Sequence, residues 1–117
     1  MLTSKTLSAL LCAAAFVPLA TLAEQQPGPS GEELFKFHGC MNCHGADGKT
    51  PVSKLVPQLA GKSADELYDH ATKILSGEGA TDESKLMHAA IHSPANCNAP
   101  PTDNELKTIT SWLSAQQ

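Results

Sequence analysis

The chain has 117 residues, a formal net charge of −4 from 8 Lys plus Arg against 12 Asp plus Glu, and only 4% aromatic residues. That length allows one domain after any leader is removed, and an acid excess is a poor electrostatic footprint for nucleic acid. So few aromatics build a marginal core, which leaves room for apolar mass that the chain does not encode.

The first segment, residues 1–23, has the layout of a secretory signal peptide. Lys5 supplies the positive start, Leu7 to Ala20 is almost wholly apolar, and Thr21-Leu22-Ala23 offers small residues for cleavage after Ala23. The apolar stretch is interrupted by Pro18 and sits at the short limit for spanning a bilayer, so no transmembrane span is expected in the mature form. Cys12 follows Leu11 rather than the small residue that a lipid-anchored cysteine needs. Export implies an oxidising compartment, the periplasm. Without Lys5, seven lysines and no arginine face twelve carboxylates, for a net charge of −5.

Residues 24–29 are a polar lead-in with Pro27, Gly28 and Pro29, and residues 30–117 form the domain. Its first helix is announced by Ser30-Gly31-Glu32-Glu33, a capping box that opens Leu34 to His38. Cys40-Met41-Asn42-Cys43-His44 follows at once. In a small exported chain a C-x-x-C-H pentapeptide reads as a c-type haem attachment site, with Cys40 and Cys43 as thioether anchors and His44 as the proximal iron ligand. The competing uses of the same residues are a zinc site borrowing Cys97 or His38, and a redox-active Cys pair. Zinc needs a recognisable second ligand cluster, and a thioredoxin-like pair needs an α/β pattern that is absent here.

Gly45 to Gly61 is expected to be loop, broken by Gly48, Pro51 and Pro57. A second capping box, Ser63-Ala64-Asp65-Glu66, opens a helix with Leu67, Ala71, Ile74 and Leu75 on one face, ending at Ser76-Gly77. Asp82 to Ile91 is a shorter helix with Leu86, Met87, Ala90 and Ile91 sharing a face. Pro94, Pro100 and Pro101 then enforce an irregular connection. Thr102-Asp103-Asn104-Glu105 is the third capping box, leading into Leu106, Ile109 and Leu113 beside Trp112. No stretch alternates long enough for a strand, so the fold class is all-α.

Phe37-His38-Gly39-Cys40 through Cys43-His44-Gly45-Ala46-Asp47-Gly48, then Val56-Pro57-Gln58-Leu59-Ala60-Gly61-Lys62 and the closing Thr102-Asp103 to Trp112-Leu113 helix, resemble the small class I c-type cytochromes, particularly the c4 and c5 type domains. The resemblance spans most of the mature chain. It implies helices around one covalent haem c, a monohaem single-electron carrier rather than an enzyme, and transient redox protein partners. It also implies that the Pro57 carbonyl accepts from the free ring nitrogen of His44 and tunes its basicity. The axial Met of that family lies before the last helix, which selects Met87 as distal ligand. A thioether there favours reduced iron.

Five other residues compete for the sixth position. His88 and His92 neighbour Met87, and Asn96, Cys97 and Asn98 lie in a loop inserted relative to the family pattern. That Asn-Cys-Asn loop is similar to one in the sphaeroides haem proteins, which implies a labile asparagine ligand, although in those the cysteine is disulfide-bonded and lies farther from the tryptophan. With both attachment thiols consumed, Cys97 is left for an intermolecular disulfide, a buried inert thiol or a reactive site. The alternative functions are therefore a haem sensor or small-ligand-binding cytochrome with a labile sixth ligand, and a haem subunit of a larger redox enzyme.

Overall fold

The computed structural model describes residues 27–95 and 99–117; the expected signal peptide and residues 96–98 lie outside the described residues. Five helices follow one another: α1 (Gly31–Phe37), α2 (Met41–His44), α3 (Ala64–Leu75), α4 (Asp82–Ile91) and α5 (Asp103–Ser114). Among the described residues there is no strand.

Helix starts follow the hydroxyl residues. Ser30 and Thr102 each accept from the N–H three residues on, while Glu33 and Glu105 reach back to the cap N–H at 2.7 and 2.8 Å, closing two full capping boxes. Ser63 closes only half of the expected second box: its hydroxyl accepts from Glu66 N–H at 3.5 Å, without the return bond. Thr81 caps α4 by accepting from Ser84 N–H at 3.1 Å.

Helices α1 and α5 pack against each other, α3 packs on α5, and α4 packs on α3. Their shared core is small: Leu34, Phe35, Leu67, Ile109 and Leu113 are buried, with the Phe35 and Trp112 rings 5.3 Å apart at 47°. The α1–α5 contact is close because of Gly31. A Cβ at that position would lie 2.2 Å from Trp112 Cβ and 2.8 Å from the Thr108 carbonyl oxygen.

One expected face is corrected. Leu86 is 70% exposed, whereas Met87 and Ile91 on the same helix line an internal cleft. Successive helical residues are rotated by about 100°, so a helix that lends the cleft only its i, i+4 pair turns Leu86 to solvent.

The close approach at Gly31 predicts that Gly31→Ala destabilises the protein by about 1–3 kcal/mol through overpacking. Gly28→Ala, where the added Cβ meets nothing within 4 Å, is the control and should shift stability by no more than about 0.5 kcal/mol in equilibrium denaturant unfolding.

The capping boxes also set a pH dependence. Hydrogen bonds from the backbone and hydroxyl of Ser30 hold the Glu33 carboxyl below its ordinary value, and those of Thr102 do the same for Glu105. The unfolded chain takes up these two protons at higher pH than the folded one. The contribution is therefore complete above the ordinary carboxylate value of about 4.3 and is lost as pH falls through the lowered native values. Thermal unfolding midpoints measured across that range should fall less steeply for Glu33→Gln/Glu105→Gln, which keeps the caps and removes the charge.

Candidate functional site

The site is built from a four-residue helix and the loop that follows it. Cys40 occupies the N-cap of α2, and Gly45 ends α2 immediately after His44 with φ +83°. A Cβ on Gly45 would stand 2.5 Å from the Thr50 carbonyl oxygen, so both the backbone angle and the space require glycine. The loop then folds back: Val52 N–H bonds the Cys43 carbonyl at 2.9 Å, and Leu59 and Ala60 N–H bond the Gly48 carbonyl at 2.9 and 3.1 Å. Gly61 N–H bonds the Leu113 carbonyl of α5 at 3.1 Å, which ties the far end of the loop to the last helix.

This loop carries Pro57 to His44. His44 is 5% exposed, and its Nδ1–H donates to the Pro57 carbonyl at 3.0 Å. With Nδ1 committed as donor, Nε2 carries the free lone pair. Burial holds the imidazole below its ordinary pKa, and the bond to Pro57 offsets part of that shift. The net effect favours the neutral ring, the form that ligates a metal.

His44 opens onto a cleft of about 960 Å³, including the part open to solvent. Its lining is mostly apolar: Phe35 from α1; Leu67, Ala71, Ile74 and Leu75 from α3; Met87 and Ile91 from α4; Leu106, Ile109 and Leu113 from α5. Cys40, Pro57 and Leu59 complete the wall around His44. The apolar stripe of α3 thus faces the cleft; of its residues only Leu67 is buried.

The structure gathers Cys40, His44, Pro57 and Met87 on this one cleft. Cys43 is exposed on α2 outside the lining. His88 and His92 do not line it. Asn96, Cys97 and Asn98 lie outside the described residues. Among the described residues no group of three or more His, Cys, Asp or Glu is arranged to hold a metal, and no helix is long and apolar enough to cross a membrane.

Two features of the site escaped the sequence reading. His38, considered there only as a borrowed zinc ligand, is 3% exposed and lines the cleft. Its Nδ1–H donates to the Ala99 carbonyl at 2.6 Å, and its Nε2 lies 3.3 Å from the Glu105 carboxylate. It thereby joins the end of α1 to the start of α5 and to the segment before it. Glu66 and His70 also line the cleft. For His70 a trace existed: it stands three residues after Leu67 and four before Ile74, on the edge of the same stripe.

The residues fit a flat, mostly apolar macrocycle with an iron centre: an apolar wall, a neutral imidazole with one nitrogen already bonded, a thiol at the cleft edge with a second one turn away, and a thioether on another helix. Replacing His38 by Ala would take the donor from the Ala99 carbonyl and a buried ring from the cleft wall, and a loss of about 1–3 kcal/mol is expected. Denaturant unfolding of wild type and His38→Ala measures it.

The model for the cytochrome c family matches residues 29–117. Cytochrome c-551 of Ectopseudomonas mendocina is 34% identical over 84 residues, which cover 72% of this chain and 94% of that protein.

Proposed function

The chain belongs to the cytochrome c family, and from that membership we propose that it is a monohaem, periplasmic single-electron carrier. The observation that carries the proposal is the shared cleft. His44, with its Nδ1 bonded to Pro57, faces the same apolar cavity as Cys40 and Met87.

In this reading one haem c occupies the cleft. The thiols of Cys40 and Cys43 form its two thioether links, His44 Nε2 is the proximal ligand and Met87 the distal one. The bound haem supplies an iron that takes up and releases one electron. The protein does the rest. Pro57 fixes the tautomer and orientation of His44 and raises its basicity through the Nδ1–H bond. The apolar side chains of α3 and α5 keep water from the metal, and the thioether of Met87 favours the reduced state, raising the potential. No residue is assigned a catalytic role.

Exchange with partners needs an accessible edge and a weak contact surface. Cys43 is exposed, Val52, hydrogen-bonded to its carbonyl, is 67% exposed, and Leu55 of the same loop is 69% exposed. We assign transient docking to this apolar rim. Residues 1–23, with the pattern of a secretory signal, support export to the periplasm.

Mass spectrometry of the denatured protein should find one haem mass retained by wild type and none by Cys40→Ala/Cys43→Ala. The reduced protein should bind carbon monoxide slowly and incompletely, because Met87 holds the sixth position. Rapid, complete binding would instead support the sensor reading, with a labile distal ligand.

A further inference from the structure

The cleft leaves two histidines at the C-terminal end of α4 without a role. His88 lies in the last turn of α4 and His92, four residues on, is its C-cap; neither lines the cavity that Met87 and Ile91 line. Their ring centroids lie 4.3 Å apart with planes at 42°. His88 is half-buried and His92 is exposed.

Both rings are held in the same tautomer. His88 Nδ1 is 2.7 Å from the Ile74 carbonyl oxygen, and His92 Nδ1 is 2.8 Å from the carbonyl oxygen of His88. A carbonyl can only accept, so each Nδ1 carries the proton and each Nε2 keeps its lone pair. Among the described residues no side chain or backbone group bonds either Nε2. Two neighbouring imidazoles, each oriented through Nδ1 by a backbone carbonyl and each left with a free Nε2, have the support that metal-ligating histidines ordinarily show.

We propose that His88 and His92 form a surface site for a divalent first-row transition metal, separate from the haem cleft, with copper(II) as the tightest ligand. Two imidazoles from one helix leave the other coordination positions to water. That suits the tetragonal preference of copper(II) or nickel(II), whereas a structural zinc site draws four ligands from the protein. Among divalent ions of the first row, copper(II) is bound most tightly by a given nitrogen site. The ion would clamp the last turn of α4. Through the His88 bond to Ile74 it would also fasten α4 to the end of α3, so binding should raise the unfolding temperature.

The test is a titration of the oxidised, haem-loaded full chain with copper(II), nickel(II) and zinc(II), following paramagnetic resonance of the copper and the haem absorption together. Wild type should take up copper at a site with two nitrogen ligands, more tightly than nickel or zinc. His88→Ala and His92→Gln should each weaken that site roughly tenfold or more, since loss of even an outer partner of a ligand costs that much. The variant His92→Ala/Ser93→His keeps the number of imidazoles and breaks their spacing; it should bind as weakly as His92→Gln. The haem spectrum should be the same in every variant. Equal copper affinity in wild type and His88→Ala/His92→Ala would overturn the proposal. So would a changed haem spectrum in His88→Ala or His92→Gln, which would place that histidine on the iron.

Discussion

The bond from His44 Nδ1 to the Pro57 carbonyl is the contact on which the rest of the site depends. A buried imidazole must satisfy its ring N–H, and here the acceptor comes from a loop thirteen residues away. Satisfying it fixes the course of that loop. Gly45 turns the chain out of α2, the Gly48 carbonyl gathers Leu59 and Ala60, and Gly61 fastens the loop to Leu113 on α5. The same bond leaves Nε2 with the ring's free lone pair. One interaction thus couples the proximal side of the cleft to the last helix.

The packing has a matching logic. The helices bury few apolar side chains against one another, and the long stripes of α3 and α5 point at a shared cavity instead. A domain of this size gains little stability from such a core alone. Membership in the cytochrome c family explains the arrangement, because a haem in the cleft would complete the apolar core that α1, α3 and α5 only outline. His38 contributes on the polar side, joining α1 to Ala99 and Glu105, so the segment leading into α5 is anchored beside the cavity.

Much of the fold was legible because helix ends and apolar stripes leave local marks. Ser30, Ser63 and Thr102 stand at helix starts, and the span of α4 matches the expected Asp82 to Ile91. The pentapeptide at Cys40 pointed to the chemistry through spacing alone. The pairing of His44 with Pro57 came from family resemblance, because a side chain meeting a loop carbonyl leaves no periodic trace. Helix rotation was the harder quantity. Periodicity grouped Leu86 with Met87, but only contact with α3 decides which side of α4 faces inward. For the same reason the sequence offered His88 and His92 beside Met87 as iron ligands, while of the three only Met87 lines the cleft. His38 was illegible because its partners lie more than sixty residues downstream.

The account turns on a single iron held between His44 and Met87 in one apolar cleft. The most direct measurement is the absorption spectrum of the oxidised protein, wild type beside Met87→Ala, in the red region where iron–thioether bonding gives its weak band. The account predicts that the band is present in wild type and lost in the variant. Its absence from wild type, or its survival in Met87→Ala, would contradict it.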